Sequence, residues 1–301
     1  MMSTKTLKKP KDKLTSTTSS KTTKKNQPIK LTKDNYYSHD TDFQYLSFSV
    51  FKDFEKCEAA TLAKLKNEWK PEISPQALLV GNYVHSYFES SEAHTAFIDA
   101  NKSEMLSTRG KSKGQLKAPY KFADDMIKVL DDYPFFKQVY EPGKKEVIVT
   151  GKINGLPWKG KIDSLVKDQG YFCDLKTVDD IHKKHWNEAE RNWDSFIFDR
   201  QYEMQMAIYE ELIKQTFDVD CEPFIFAVSK QTPPDHEAFH FESDEAQFRM
   251  EEAMDTIIQK QDRFWKIMMG EIKPDYCGHC EYCRKYKHLT NFQDVSQLEV
   301  Y

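Results

Sequence analysis

The chain has 301 residues, 44 Lys and Arg against 48 Asp and Glu for a net charge of −4, and 39% hydrophobic content. That length supports a substantial core in one or two domains, and 20 Phe, 15 Tyr and 5 Trp beside only 10 Gly and 12 Pro exclude collagen-like, elastic and wholly disordered classes. No run of 18 apolar residues occurs and the N-terminus lacks the apolar stretch of a secretory signal, so the expectation is a soluble cytoplasmic protein. Six cysteines are too few for a disulfide scaffold, and three of them fall within seven residues, a spacing that suits a metal site in a reducing compartment.

Charge is unevenly distributed. Residues 1–33 hold ten Lys and one Asp, a net +9, which leaves −13 on residues 34–301. This Lys/Thr/Ser segment cannot bury enough apolar surface to offset ordering, and reads as a disordered basic arm that either contacts DNA phosphates or only solubilises. Residues 45–66 have helical spacing, with Ser47 or Ser49 as cap and Phe51, Phe54, Leu62 and Leu65 as the apolar stripe. A second helix is predicted over 76–90, a Lys- and Gly-rich loop over 108–117, and a third helix over 120–133. The texture then becomes β: 146–150, 156–166 and 171–178 are strands separated by turn-like segments at 152–155 and 167–170. Helix returns over 199–215, followed by strands at 223–230 and 238–241 and a long helix over 242–270. The predicted class is α/β (α+β), a mixed central sheet flanked by helices.

The informative segment contains Asp163 and, eleven residues on, the triplet Asp174-Leu175-Lys176. A turn centred on residues 168 and 169 sets Asp163 opposite Asp174, and Lys176 projects from the same face as Asp174; a bulge at Gly170 would slip this register by one. Two carboxylates about 5 Å apart repel by roughly 3 kcal/mol at an effective dielectric near 20. A divalent cation removes that cost, and carboxylates with a backbone carbonyl, here that of Leu175, suit Mg²⁺ or Mn²⁺. A lysine beside such a metal orients water or stabilises charge developing on phosphate. Asp-x-Lys alone is also what an ordinary solvated strand carries. Further upstream, Gly81 and His85 lie on the second helix with Glu89 one turn beyond His85, and Gln201, Gln205 and Tyr209 form a polar stripe after the strands.

In this order, Gly81 and His85, Asp163, Asp174-Leu175-Lys176, and Gln205 with Tyr209 resemble the PD-(D/E)XK nuclease superfamily, in its RecB-like and RecE-like branch and most nearly the phage-type RecE-like exodeoxyribonucleases. The resemblance spans residues 45–285 and implies a restriction-endonuclease-like core at 34–275, between the basic tail (1–33) and a C-terminal cysteine cluster and tail (276–301). Ile162 replaces the proline often found before the first aspartate, and the arginine that lambda-type exonucleases use for the 5′-phosphate has no match. The resemblance implies Mg²⁺ or Mn²⁺, two per site, held by Asp163, Asp174 and the Leu175 carbonyl with His85; Lys176 activates water, and Gln205 and Tyr209 position DNA or brace the site. It implies 5′→3′ digestion of one strand of linear duplex DNA, leaving a 3′ single strand, alongside a single-strand annealing protein in a phage or prophage setting, by a ring-shaped homo-oligomer (tetramer favoured, trimer the alternative).

Cys277, Cys280 and Cys283 supply three thiolates where a tetrahedral site needs four. The fourth is either Cys57, in the arrangement that AddB-type and CRISPR-associated RecB-like nucleases use for a 4Fe–4S cluster, or His288, which gives a Cys₃His zinc site. A cluster without metal is the third reading; in the first two its role is structural. Cys173 and Cys221 sit in apolar strand contexts and are expected in the core. Two alternatives to the exonuclease remain: a RecB- or AddB-like nuclease of different polarity, and a non-enzymatic DNA-binding recombination scaffold. No Walker A sequence is present.

Overall fold

The structure is a computed structural model and describes residues 28–72, 76–188, 190–288, 292 and 294–297. Most of the basic arm read from the sequence lies outside the described residues. The chain runs through α1 (His39–Asp42), α2 (Phe48–Lys56), α3 (Glu58–Leu65), α4 (Gln76–Glu89), α5 (Ser91–Ala100), α6 (Lys102–Met105), α7 (Ala118–Asp131) and α8 (Pro134–Tyr140). Strands β1 (Lys144–Ile153), β2 (Leu156–Val166) and β3 (Tyr171–Val178) follow, then a small hairpin of β4 (His185–Asn187) and β5 (Asn192–Asp194). Next come α9 (Phe196–Asp199), α10 (Tyr202–Phe217), β6 (Glu222–Ser229), β7 (His236–His240), α11 (Asp244–Met268) and α12 (Glu281–Lys285).

One five-stranded sheet in the order β1-β2-β3-β6-β7 organises the molecule. β1, β2 and β3 are antiparallel; β6 returns parallel to β3 after α10, and β7 pairs antiparallel with β6. The β1–β2 turn is Asn154-Gly155, both at positive φ, the two-residue hairpin that matches strand twist. Phe172, Ile225 and Val149 meet Phe51, Ile208 and Phe264 in one core, while Cys173, Leu175 and Phe226 meet Val84, Tyr120 and Phe136 in a second. The sheet is therefore covered on both faces; on its central strand β3, Cys173 and Leu175 face one core, while Phe172 on the other face gives way to Asp174 and Lys176. Cys173 and Cys221 are buried, as their strand contexts predict. Among the described residues, no helix is long and apolar enough to cross a membrane.

Two expected helices are broken where function intervenes. The helix predicted over 45–66 divides into α2 and α3 because Cys57 is extended (φ −166°, ψ 110°). Ser47 caps the first half, accepting from the Val50 amide at 3.4 Å, and the Ala59 amide bonds the Asp275 carbonyl at the start of the second. The helix predicted over 199–215 likewise begins only at Tyr202, because Gln201 takes a left-handed conformation. Ser243 caps α11, with Asp244 and Glu245 in its first turn favouring the helix dipole.

Candidate active site

β2 and β3 keep the register that sets Asp163 opposite Asp174: Ser164 pairs with Cys173, Leu165 with Phe172 and Val166 with Tyr171. Gly170 is left-handed (φ 72°) and closes the turn without slipping it. Beyond Ser164 the ladder stops, because the Leu175 amide donates to the Asp163 carboxylate at 2.9 Å instead. The Leu175 side chain is fully buried in the second core, so only its backbone faces the site.

Asp174 and Lys176 project toward α10. Lys176 Nζ lies 2.6 Å from Asp174 Oδ2 and donates to Gln205 Oε1 at 2.8 Å. The Gln205 amide donates to Asp174 Oδ1 at 3.1 Å and to the Tyr209 hydroxyl at 2.9 Å. α10 comes this close because β2 presents Gly160 to it: a Cβ there would lie 2.9 Å from Tyr209. From the other side, α4 brings His85 Nδ1 to 3.3 Å from Asp163 Oδ2. Gly81, one turn earlier, lets α4 lie against β3, since a Cβ there would meet Thr177 Oγ1 at 3.2 Å. The Gly-x-x-x-His spacing thus has a packing reason.

One member of the expected polar stripe lies elsewhere, and two residues at the site have no counterpart in the sequence reading. Gln201 turns away from the stripe and donates to Glu55 at 3.1 Å, and Glu89, one turn beyond His85, pairs with Lys33 at 2.9 Å. Glu146 was missed. It stands opposite Asp163 at the one interruption of the β1–β2 ladder, takes a left-handed φ of 55° that a non-glycine residue rarely adopts, and pairs with Lys161. The signal was available, because the Asn154-Gly155 turn fixes the register that sets 146 opposite 163. Tyr202 was also missed; its ring lies 4.1 Å from Lys176 Nζ.

His85, Glu146, Asp163, Asp174, Lys176, Gln205 and Tyr209 line a cleft of about 1080 Å³ between the sheet and the α2–α3 and α4 walls. Burial, then the neighbouring Asp174 and Glu146 charges, hold the Asp163 carboxyl well above the usual aspartate range. Burial lowers His85, which keeps its imidazole neutral and its lone pair available. Burial also works against the charge on Lys176, but Asp174, Tyr202 and Asp163 outweigh it and raise its pKa above that of ordinary lysine. Three converging carboxylates with a neutral imidazole form a hard, oxygen-rich donor set, which fits Mg²⁺ or Mn²⁺.

The cysteine cluster lies apart from the cleft. Cys57, Cys277, Cys280 and Cys283 have their sulfurs within 4.8 Å of one another. His288 is exposed and stands outside this group, so the structure brings together the Cys57 set. Amides of Cys280 and Cys283 donate to the Cys277 and Cys280 sulfurs at 3.4 Å. Burial raises Cys277, but amide donors from Cys280 and His279 outweigh it and bring the thiol down to about 6. Beside the cluster, Arg263 bridges Glu58 and Asp275, tying the C-terminal segment to the start of α3.

A mixed sheet covered by helices, with Asp163, Asp174 and Lys176 at its centre and His85 facing them, defines a member of the PD-(D/E)XK nuclease superfamily. Residues 47–286 match the family described as a PDDEXK-like domain of unknown function (DUF3799), and the chain belongs to that family. A solved structure of a candidate exonuclease from Eubacterium rectale is 32% identical, with a TM-score of 0.79 over 89% of this chain and 97% of that one. Another solved chain aligns over 78% of this one and 91% of its own length, but at 13% identity and a TM-score of 0.27 it carries no weight. No curated protein matches significantly.

Proposed function

We propose that the protein is a metal-dependent exodeoxyribonuclease that digests one strand of linear duplex DNA. The observation that carries this reading is the constellation of Asp163, Asp174, Lys176 and His85 in one cleft large enough for a nucleic-acid strand. The family match and the similarity to the Eubacterium rectale protein support the same class of activity.

Asp163, Asp174, the Leu175 carbonyl and His85 would hold Mg²⁺, with Glu146 as a further carboxylate. When bound, the ion polarises the scissile phosphate and acidifies a water. Lys176 is the residue placed to act on the reacting atoms: as a retained cation it orients the attacking water and stabilises charge on phosphate oxygen. Before a cation binds, Asp174, Tyr202 and Asp163 favour its protonated form. Gln205 bridges Lys176 and Asp174 and keeps both aimed into the cleft, while Tyr209 fixes the Gln205 amide. Hydrolysis then adds water across the P–O bond, leaving one phosphate and one hydroxyl end.

The finer reading is 5′→3′ resection that leaves a 3′ strand for an annealing protein, by a cyclic tetramer; its support is the ordered motif set, which resembles RecE-like enzymes. A closed ring keeps an enzyme with a net charge of −13 over residues 34–301 on polyanionic DNA through many cleavage steps. End-labelled linear duplex with 5′-phosphate or 5′-hydroxyl ends, incubated with Mg²⁺ or with chelator, tests activity, metal need and polarity together. Absence of Mg²⁺-dependent cleavage overturns the nuclease reading and leaves a DNA-binding scaffold. Loss of label from the 3′ end reverses the polarity, and light scattering that reports 35.4 kDa removes the ring.

The cysteine cluster fits a structural ion. A single tetrahedral ion with metal–sulfur bonds near 2.3 Å sets sulfur–sulfur edges of about 3.8 Å. The separations from Cys283 to Cys57 and to Cys277 are 3.6 and 3.8 Å, and all four sulfurs lie within 4.8 Å of one another. A 4Fe–4S cubane bonds each thiolate to a different iron and spreads the sulfurs much farther apart. Zn²⁺ is therefore the ion this donor set suits. It would clip the C-terminal segment to the elbow between α2 and α3, the two helices that wall the cleft.

A further inference from the structure

We infer that the β4–β5 hairpin is a base-stacking contact for single-stranded DNA. The inference rests on the nuclease reading, since degradation of one strand of a duplex leaves its partner unpaired beside the cleft.

Trp186 and Trp193 sit opposite each other across the hairpin, 45% and 61% exposed, with ring centroids 5.3 Å apart at 68°. Cross-strand aromatic pairing helps such short strands hold together, yet it leaves about half of each indole in water. The hairpin does not depend on that pair alone, because its opposite face is tied to the body. His185 Nδ1 lies 3.3 Å from Asp199, and buried Asp194 accepts from Asn187 at 2.7 Å. Arg249 reaches Asp194 at 3.7 Å while stacking over Phe198 at 4.3 Å. The anchoring is polar and inward; the aromatic surface is presented outward.

Charge and continuity identify the occupant. Lys183 and Lys184 just before β4, and Arg191 at the tip (φ 53°), are exposed and make no ion pair among the described residues. Aromatic faces interleaved with free cations are what a single strand needs, with bases on the rings and phosphates on the cations. The hairpin runs through α9 into Arg200 and Tyr202, and Tyr202 is the ring against Lys176. A cavity of about 230 Å³ lies beside this segment, lined by the cations Lys183, Arg200 and Lys230, by Phe196 and Tyr202, and also by Asp179 and Asp180. Its lining starts one residue past Lys176 and reaches Lys183 and His185 at the foot of the hairpin.

The test is binding of oligothymidylate in chelator, where nothing is cut, read by tryptophan fluorescence and by anisotropy of a labelled strand. The wild-type protein should show quenching on binding. Trp186→Ala and Trp193→Ala should each weaken binding about tenfold or more, and blunt duplex binding should change far less. The Trp186→Phe/Trp193→Phe pair, which keeps a cross-strand aromatic contact, should recover much of the affinity and serves if the alanine variants do not fold. Lys183→Gln with Lys184→Gln should flatten the salt dependence. Wild-type affinity in a folded double-alanine variant overturns the proposal, as does a fall in particle mass with unchanged oligothymidylate affinity, which makes the hairpin a contact between copies. Hairpin-dependent binding without Mg²⁺-dependent cleavage sinks the nuclease reading alone; cleavage with hairpin-independent binding sinks this inference alone.

Discussion

Gln205 accepts a hydrogen bond from Lys176 Nζ at 2.8 Å, and through the same amide group donates to Asp174 at 3.1 Å. One side chain thus fixes the separation between the cation and the carboxylate on neighbouring positions of one strand face. Gln205→Ala should free Lys176 to swing within its ion pair and lower kcat about ten- to a hundredfold while KM changes little. Lys176→Ala should lower kcat by roughly a hundred- to a thousandfold, because it removes charge stabilisation needed only in the transition state. Steady-state digestion of linear duplex separates the two. If Gln205→Ala raises KM with kcat intact, Gln205 contacts DNA rather than bracing the site.

Asp163 is buried against two other carboxylates, so without a cation its charge opposes folding. Asp163→Asn keeps an acceptor for the Leu175 amide while removing that charge. The variant should lose cleavage by several orders of magnitude, yet melt at or above the wild-type temperature in chelator. The rise in melting temperature that Mg²⁺ gives the wild type should disappear. A variant that melts well below wild type in chelator, or still gains stability from Mg²⁺, removes Asp163 from the metal site.

How much of this was legible in the sequence depends on which backbone feature each residue rests on. The hairpin arithmetic that faces Asp163 to Asp174 held because β2 and β3 are joined by a turn that keeps simple register. The stripe at 201, 205 and 209 failed at its first member because Gln201 leaves the helix through a left-handed turn, which i, i+4 spacing does not reveal. Cys57 broke an otherwise helical pattern, since periodicity reports apolar faces and not a tertiary pull toward three cysteines more than 200 residues away. Glu146 was legible in principle, by carrying the register one strand further across Asn154-Gly155.

Glu146 therefore gives a further prediction. Its left-handed backbone holds its carboxylate beside Lys161 and the Asp163 cluster, at a conformational cost of about 1 kcal/mol or more. Glu146→Gln should weaken Mg²⁺ activation, raising the Mg²⁺ concentration for half-maximal rate about tenfold, with recovery of rate at high Mg²⁺ or in Mn²⁺. Glu146→Gly should relieve the backbone and raise stability in chelator while showing the same metal defect. An unchanged Mg²⁺ requirement in both would make Glu146 a partner of Lys161 alone.

The cysteine clip predicts about one zinc per chain by elemental analysis and no iron–sulfur absorption in protein purified without added metal. Cys57→Ser should lower zinc content and melting temperature together, because it detaches the C-terminal segment from the α2–α3 elbow. DNA affinity should fall more than the rate of bound substrate, since the clip supports a wall of the cleft and not the carboxylates. Four irons per chain would replace the single ion by a cubane, and protein free of metal with wild-type stability would leave a thiol cluster.

Glu203, on the first turn of α10, carries the pH prediction. Burial raises its carboxyl to about 7 against a hydrogen bond from its own backbone amide and the pull of Arg249 and Lys52, with Asp194 adding repulsion. Its Oε2 is buried and has no hydrogen-bond partner among the described residues. The folded chain therefore holds a proton here that the unfolded chain releases near pH 4.5, so this group subtracts stability as pH rises from about 4.5 to about 7 and by a constant amount above. Glu203→Gln removes the ionisation and keeps the shape. The variant and wild type should melt together near pH 4.5 and diverge as pH rises, with the variant higher by a few degrees at pH 8. An equal melting difference at both pH values would trace the effect to packing or to the orphaned oxygen. No difference at pH 8 would mean that Arg249 and Lys52 already stabilise the ionised form fully.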